Sequence, residues 1–285
     1  MPSKIAEDNN VMVTGDRSVN SENDKEHAFK QTPDTVIHFM VSLRQICVIV
    51  AAIPLVTLFL CLIYAIVFQF EDVHETHCRV FNIIPSISAI TGISPQRYFW
   101  RISVAIHIGP RFGLIACYRS HYNCILDKIQ DEIIKKRARL LATLVFWSHT
   151  IELSALCGVT YVSNRENYPL HEKIFITFMT CSLCHMLATI KLFNLIKPID
   201  QQTPEDQVSI KWKKRLFASS ILSTIGLLIF FFKHRFYCHD MAFSWFALSE
   251  YFIACSNMAF HYTTTLDFPN EHFFIGRGLN KLKSD

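Results

Sequence analysis

Six long apolar runs, separated by polar segments, form the dominant pattern of the chain. The first covers residues 46–70 without a single charge and ends at Glu71 and Asp72. A helix of about 20 residues crosses a hydrocarbon core of about 30 Å, so each run has roughly the length of a membrane span. The other runs cover residues 98–118, 140–162, 174–196, 216–232 and 241–265. We therefore predict an all-α polytopic membrane protein, a bundle of six transmembrane helices.

Lysine and arginine cluster in two of the predicted loops and so indicate the orientation of the bundle. Basic residues beside membrane spans are retained on the cytoplasmic side. The loop after the second span contains Arg119, Lys128, Lys135, Lys136, Arg137 and Arg139, and the loop after the fourth contains Lys197, Lys211, Lys213, Lys214 and Arg215. Both loops are assigned to the cytosol, and with six spans both termini lie there too. The remaining loops would face the lumen.

Composition agrees with a membrane protein and defines the tails. Hydrophobic residues make up 51% of the 285 residues, including 24 Phe, which exceeds what a compact soluble domain of this length carries. The net charge of +4 follows from the cytosolic loops, so we predict no nucleic-acid partner. Residues 1–40 are polar and are expected to form a disordered cytosolic tail. The membrane domain covers residues 41–268, and residues 269–285 form a second cytosolic tail.

The ten cysteines give a further prediction about the lumenal side. Most of them lie in spans or on the cytosolic side, and only Cys78 and Cys238 fall in lumenal loops. An oxidising lumen favours a disulfide between these two, and the alternative is two separate thiols. The Cys181 and Cys184 pair lies within a span, where helix packing is favoured over redox chemistry or zinc binding.

Ionisable residues inside the predicted spans are the main candidates for catalysis, because each is costly in hydrocarbon and faces a bundle interior or a wet cavity. His149 and Glu152 share a helix face, so the carboxylate could orient the imidazole as a general base, or the pair could hydrogen-bond helices together. His107 and His185 lie near the middle of their spans, as further candidate bases or as core donors. Glu250 is a candidate to position an imidazole.

Four other polar residues, Arg97, Arg101, Asn257 and His261, are candidates for lipid binding. Asn257 and His261 form one stripe with Glu250 on the sixth span, and this stripe could contact lipid or another helix. Arg97 and Arg101 lie one turn apart at the lumenal end of the second span. Arginine forks bind phosphate well, although both side chains could instead reach toward lipid headgroups.

A metal centre is not predicted. Asp72, His74, His77 and Cys78 are close in sequence, but one loop with imperfect ligand spacing is weak support for a metal. We also predict no resident cofactor.

Several stretches resemble one family of membrane proteins. They are ETHCRVFNIIPSISAITGISPQRYFWR over residues 75–101, HIGPRF over 107–112, VTYVSNRENYPLHEKIF over 159–175, SLCHML over 182–187, KWKKRLF over 211–217 and NMAFH over 257–261. Together these runs resemble the post-GPI-attachment-to-proteins factor 2 family, within the wider Frag, DRAM and Sfk group. The resemblance covers about residues 36–270 and excludes the amino-terminal tail.

This resemblance implies a multi-pass protein of the Golgi or endoplasmic-reticulum membrane that remodels GPI anchors after their attachment to proteins. It implies reacylation of a lyso-GPI intermediate with a saturated chain from an activated acyl donor. The implied partners are the GPI lipid, GPI-anchored proteins, membrane lipids and other GPI-remodelling enzymes. The family supplies no residue roles. A non-enzymatic factor that presents or transports GPI lipids is the alternative, and a membrane scaffold like other members of the wider group is a more remote one.

Overall fold

The computed structural model describes residues 36–198 and 201–277, and most of this part is helical. In chain order, the elements are β1 (Val36–Ser42), α1 (Leu43–Phe68), α2 (Phe70–His74), α3 (Ile87–Thr91), α4 (Gln96–Lys128), α5 (Glu132–Tyr161), α6 (Tyr168–Ile196), α7 (Pro204–Tyr237), α8 (Ala242–Tyr262), α9 (Thr264–Asp267) and β2 (His272–Arg277). The predicted all-α class therefore holds for the body of the chain.

Four of the described helices, α1, α5, α6 and α7, are long and apolar enough to cross a membrane. They correspond to the first, third, fourth and fifth predicted spans, and α1 and α5 end one or two residues before the predicted ends. The second and sixth predicted spans lie in α4 and α8, whose sequences are interrupted by polar residues such as Arg111 and Asn257. The chain is thus a multi-pass membrane protein by its apolar helices, and the count of six spans stays a prediction.

Most of the long helices extend beyond the apolar runs that predicted them, because capping residues set their ends. Asp131 accepts hydrogen bonds from the backbone N–H groups of Ile133 and Ile134 and starts α5 eight residues before the apolar run. Thr203 and Asp206 form a capping box at the start of α7, with Pro204 in its first turn. An apolar run therefore predicts only the part of a helix that is excluded from water, and it does not predict where the helix begins or ends.

The body buries many polar residues among its apolar core and exposes many large apolar side chains, as expected of a helix bundle in lipid. Helix α5 packs along α6, α7 packs along α8, and α1 packs along α4. Glu152 and Arg111 are almost fully buried, whereas Phe59, Val67 and Leu222 are at least 61% exposed. The exposed apolar side chains therefore mark the surface that faces lipid, and buried polar groups lie between the helices.

The chain divides into two units, and each has a simple description. The helical body covers residues 41–273, and the described residues of the second unit are 36–40 and 274–277. Strands β1 and β2 pair in a two-stranded sheet. Residues 36–40 were predicted to belong to a disordered tail, but their β-branched and aromatic side chains suit a strand. Residues 1–35 and 278–285 of the predicted tails lie outside the described residues.

A disulfide joins the two cysteines that the sequence singled out. Cys78 lies in the long segment between α2 and α3, and Cys238 is the C-cap residue of α7. Their Cα atoms are 5.4 Å apart. Cys181 and Cys184 are free and lie within α6. The disulfide therefore ties the segment before α3 to the end of α7.

Candidate functional site

Helix α3 is a short turn whose start is fixed from two sides. Ser86 caps it by accepting a hydrogen bond from the Ala89 backbone N–H at 3.1 Å. Glu250 of α8 accepts the Ile87 backbone N–H through Oε2 at 2.8 Å. These two contacts fix the position of the next residue, Ser88.

Ser88 lies against a histidine from the start of α6. Its Oγ is 2.9 Å from Nε2 of His171, and Nδ1 of His171 is 2.6 Å from the carbonyl oxygen of Val162. The carbonyl can only accept, so Nδ1 carries the proton and Nε2 is free to accept from the serine hydroxyl, which also contacts the Glu250 carboxylate. A hydroxyl, a base and an acceptor that orients the base form the arrangement that activates a nucleophile.

Two cavities meet at this serine and histidine. The outer cavity has a volume of about 460 Å³, and the inner cavity has a volume of about 100 Å³. Both are lined by Ser88, His171, Phe175 and Glu250. The hydroxyl and imidazole therefore face a space large enough for part of a substrate, since ligand cavities are roughly 300–1,000 Å³.

The outer cavity has an apolar wall and a polar rim. Its wall comes from α6, α7 and α8 and includes Ile176, Leu227, Leu228, Phe231, Phe243 and Phe246. Polar groups such as Glu75, Arg235 and Asn164 also line it. A cavity with this lining suits an amphipathic molecule that has a hydrocarbon chain and a polar head.

Deeper in the bundle lies a group of side chains that we call the buried polar cluster. It is contributed by four helices: His107 and Arg111 from α4, His149 and Glu152 from α5, Ser182 and His185 from α6, and Asn257 and His261 from α8. The inner cavity touches it through His107 and Asn257. The inner cavity thus lies between the cluster and the pair formed by Ser88 and His171.

Hydrogen bonds connect the buried polar cluster. Glu152 Oε1 accepts from Asn257 Nδ2 at 2.8 Å and lies 2.9 Å from His261 Nε2. Arg111 contacts His107 Nε2 at 3.0 Å, His149 Nε2 at 3.3 Å and Glu152 Oε1 at 3.5 Å. Polar groups in a membrane interior are costly unless they pair with one another, so this network holds four helices in register.

The structure brings together most of the predicted catalytic candidates, with different partners from those expected. His107, His149, Glu152 and His185 all lie in the buried polar cluster. Among the described contacts, Glu152 pairs with His261 and Arg111, and no hydrogen bond joins it to His149. The Nδ1 atoms of His107 and His185 face the backbone carbonyls of Val50 and Val145.

The predicted stripe on α8 divides between two places. Asn257 and His261 lie in the buried polar cluster, where they bind Glu152. Glu250 lies two turns away and holds the start of α3. Glu250 therefore positions the segment that carries Ser88.

The predicted lipid-binding arginines contact a carboxylate of the protein itself. Nη2 of Arg101 lies 2.7 Å from Glu166 Oε2, and Nη1 of Arg97 lies 3.5 Å from Glu166 Oε1. Hydrogen bonds from the Ser163 backbone N–H and from Arg101 lower the pKa of Glu166 to about 2. A lipid phosphate would have to compete with this carboxylate for Arg101.

Two groups of side chains in the described part of the chain have the residue types of a metal site. The first contains His77, Cys78 and Cys238, but the two cysteines are already joined to each other. The second contains His149, His185 and His261, with ligand atoms within 4.8 Å of one another. The His261 ring lies within 20° of parallel to the other two, and the Arg111 cation contacts His149. This geometry favours ring stacking over ligation of a dication.

Sequence analysis did not single out Ser88 or His171. Both lie in stretches that carried the family resemblance, but Ser88 is in a loop and has no chemical signature of its own. His171 lies three residues before the apolar run that predicted α6, so it was not counted among the intramembrane histidines. Two signals were available: both residues lie in stretches that carried the family resemblance, and both were predicted to lie on the lumenal side.

Sequence comparisons relate the chain to one family of proteins. A sequence profile described as the Frag1/DRAM/Sfk1/Cwh43P N-terminal domain matches residues 42–271. The chain is 57% identical over 248 residues to a Post-GPI attachment to proteins factor 2-like protein of Drosophila melanogaster, covering 87% of this chain and 76% of that one. It is 33% identical over 225 residues to Acyltransferase PGAP2 of Xenopus tropicalis, covering 79% and 86%. It is 34% identical over 200 residues to Acyltransferase PGAP2 of Danio rerio, covering 70% and 84%. No solved structure matches it.

Proposed function

Because this chain belongs to the Frag1/DRAM/Sfk1/Cwh43P family, we propose that it remodels GPI anchors by transferring an acyl chain onto a lyso-GPI intermediate. The names of its relatives support the two parts of this proposal: one is a post-GPI attachment factor, and two are acyltransferases. The substrates would be the lyso-GPI of a GPI-anchored protein and an activated donor of a saturated acyl chain. Other GPI-remodelling enzymes would supply the lyso form.

One observation carries the proposal: the outer cavity has apolar walls, and at its inner end lie a hydroxyl and an imidazole 2.9 Å apart. Acyl transfer requires a base that takes a hydroxyl proton during attack on the acyl carbonyl. His171 Nε2 has the free lone pair for this step, because Nδ1 donates to Val162. The apolar walls would hold the acyl chain while the polar rim accepts the glycolipid head.

We further place the protein in the Golgi membrane, or in the endoplasmic-reticulum membrane, with six spans and both termini in the cytosol. The disulfide between Cys78 and Cys238 supports this orientation, because disulfides persist in oxidising compartments such as the secretory lumen. The segment that contains Cys78 also leads into α3 and Ser88. The site would therefore open toward the lumenal leaflet.

The test is acyl transfer by the purified protein in liposomes that contain lyso-GPI and a stearoyl donor, with products analysed by mass spectrometry. Wild-type protein should produce reacylated GPI, and His171→Ala should lower the rate by roughly 10²–10⁴-fold, the usual contribution of a general base. His239→Ala is the matched control, because His239 is exposed and lies outside both cavities. Absence of product from folded wild-type protein would overturn the proposal and favour a factor that only presents GPI lipids.

A further inference from the structure

We propose that Ser88 carries the acyl chain as a covalent ester between two half-reactions, an inference that rests on the proposed acyl transfer at the same site. The name of one relative identifies an acyltransferase but does not identify a nucleophile. Direct attack by the acceptor hydroxyl would need a base but no serine. The placement of Ser88 between that base and the cavity is what points to a covalent step.

The geometry around Ser88 contains the parts of an activated nucleophile. Its Oγ is 2.9 Å from His171 Nε2, and His171 is held in one tautomer by the Val162 carbonyl at 2.6 Å from Nδ1. His171 is 8% exposed, whereas Ser88 is half-buried and lines both cavities. The base is therefore shielded, and the hydroxyl stays accessible to a substrate.

Hydrogen bonds to the backbone of α3 fix the position of the Ser88 hydroxyl. The Ser86 cap and the Glu250 carboxylate bind the backbone N–H groups of Ala89 and Ile87, the residues on either side of Ser88. Such support matters because a reacting atom displaced by about 1 Å can lose on the order of 100-fold in rate. Asn164 lines the outer cavity with Ser88, and its side-chain amide can donate to the oxyanion that forms on the attacked carbonyl.

In the first half-reaction, Ser88 Oγ attacks the acyl carbonyl of the donor. The bond between Oγ and the acyl carbon forms, and the bond from that carbon to the donor oxygen or sulfur breaks. The hydroxyl proton passes to His171 Nε2 and then to the leaving oxygen or sulfur, which departs as a hydroxyl or a thiol. The acyl chain is left on Ser88 with its hydrocarbon part against the apolar wall of the outer cavity.

In the second half-reaction, His171 Nε2 takes the proton from the free hydroxyl of the lyso-GPI. The acceptor oxygen bonds to the acyl carbon, and Ser88 Oγ leaves and recovers the proton from His171. No oxidant, reductant or metal is needed. The donor is any long-chain acyl ester or thioester, so a phospholipid and an acyl-CoA are both chemically competent.

The experiment exploits the different stability of oxygen and sulfur esters. Purified protein in liposomes is mixed with radiolabelled stearoyl phosphatidylcholine in one arm and radiolabelled stearoyl-CoA in the other, without acceptor. Wild type should acquire label that survives denaturing electrophoresis and maps to the peptide containing Ser88. The label should resist neutral hydroxylamine and be released by alkali, as expected of an oxygen ester. Adding lyso-GPI should then discharge the label into product. The arm that labels identifies the donor class.

Three variants make the result specific. Ser88→Ala should lose the label and slow product formation by at least about 100-fold, because it removes the proposed nucleophile. Ser88→Cys should carry a label that neutral hydroxylamine removes, because the ester becomes a thioester. Ser154→Ala is the matched control: Ser154 is exposed on α5, bonds the Thr150 carbonyl at 2.8 Å, and should label as wild type does. Elution volume in size-exclusion chromatography verifies that each variant is folded.

The outcomes separate this inference from the proposed function. Reacylated GPI formed by folded Ser88→Ala at the wild-type rate would overturn the covalent step and leave the acyltransferase standing. Absence of label on Ser88 in both arms, while wild type makes product, would do the same. Label on Ser88 without any reacylated GPI would support the ester and overturn lyso-GPI as the acceptor.

Discussion

Glu152 and Arg111 form an ion pair inside the bundle, with 3.5 Å between Oε1 and Nη2 and at most 2% of either side chain exposed. The same carboxylate oxygen of Glu152, in α5, also binds Asn257 and His261 of α8. It therefore links α5 to both α4 and α8. This relationship explains how α4, α5 and α8 keep their polar faces together. The fold should therefore be sensitive to the loss of either charge.

We expect Glu152→Ala to be strongly destabilising. Removing one member of a buried ion pair leaves the other charge without compensation and costs about 3–5 kcal/mol. Replacing both charges with apolar residues, as in Glu152→Leu with Arg111→Met, removes that penalty and should recover much of the loss. Thermal unfolding in detergent, followed by size-exclusion chromatography, measures the difference. A double variant no more stable than Glu152→Ala would contradict this account.

Asp267 and Lys213 form a second ion pair, and we expect removal of Asp267 to lower the stability more than removal of Lys213. Asp267 accepts from Lys213 at 2.7 Å, from Ser209 at 2.6 Å and from Tyr118 at 2.6 Å. Asp267→Ala should cost about 3–5 kcal/mol because it leaves the buried ammonium of Lys213 unpaired. Lys213→Met should cost less, because two hydroxyl donors still serve the carboxylate. The comparison uses the same thermal assay, and equal losses would refute the proposed asymmetry.

Gly92 offers a test of how precisely α3 must be placed. A Cβ atom there would lie 2.6 Å from Asn164 Oδ1 and 2.8 Å from the Ser88 carbonyl oxygen, too close for either to stay in place. Gly92→Ala should therefore displace Ser88 and lower acyl transfer on the order of 100-fold. Gly109→Ala is the control, because a Cβ there meets nothing within 4 Å. Full activity of folded Gly92→Ala would show that α3 tolerates displacement.

The ion pair between Arg101 and Glu166 predicts a definite pH dependence of stability. The pKa of Glu166 is lowered to about 2, so the folded state favours the charged carboxylate. The resulting stabilisation is complete above the ordinary value of 4.5 and is lost as the pH falls toward about 2. The difference in unfolding temperature between wild type and Glu166→Gln should therefore be constant above about pH 4.5 and shrink only below it.

The size of that difference should be small, because the Glu166 side chain is 41% exposed and solvent screens the pair. Measuring both proteins in parallel across the pH series removes the contribution of other titrating groups. A difference that already declines near neutral pH would show that another group controls the stability of this loop.

Sequence patterns located the long helices and several of the polar residues that are buried between them. Hydropathy is a local property, so an apolar run predicts a helix without knowledge of its neighbours, and an ionisable residue within the run is a candidate for the bundle interior because it is costly in hydrocarbon. On this basis His107, His149, Glu152 and His261 were singled out, and the structure places them together. Cys78 and Cys238 were singled out by predicted compartment alone, and the structure pairs them.

Only the tertiary structure decided which of these groups touch and which residues complete the site. Ser88 and His171 are 83 positions apart, and no period or spacing connects a loop serine with a histidine before an apolar run. The same is true of Glu166, which lies in a loop and contacts Arg97 and Arg101. A sequence fixes hydropathy and helical period residue by residue. Contacts across the bundle depend instead on which helix faces meet, and packing of the whole chain sets them.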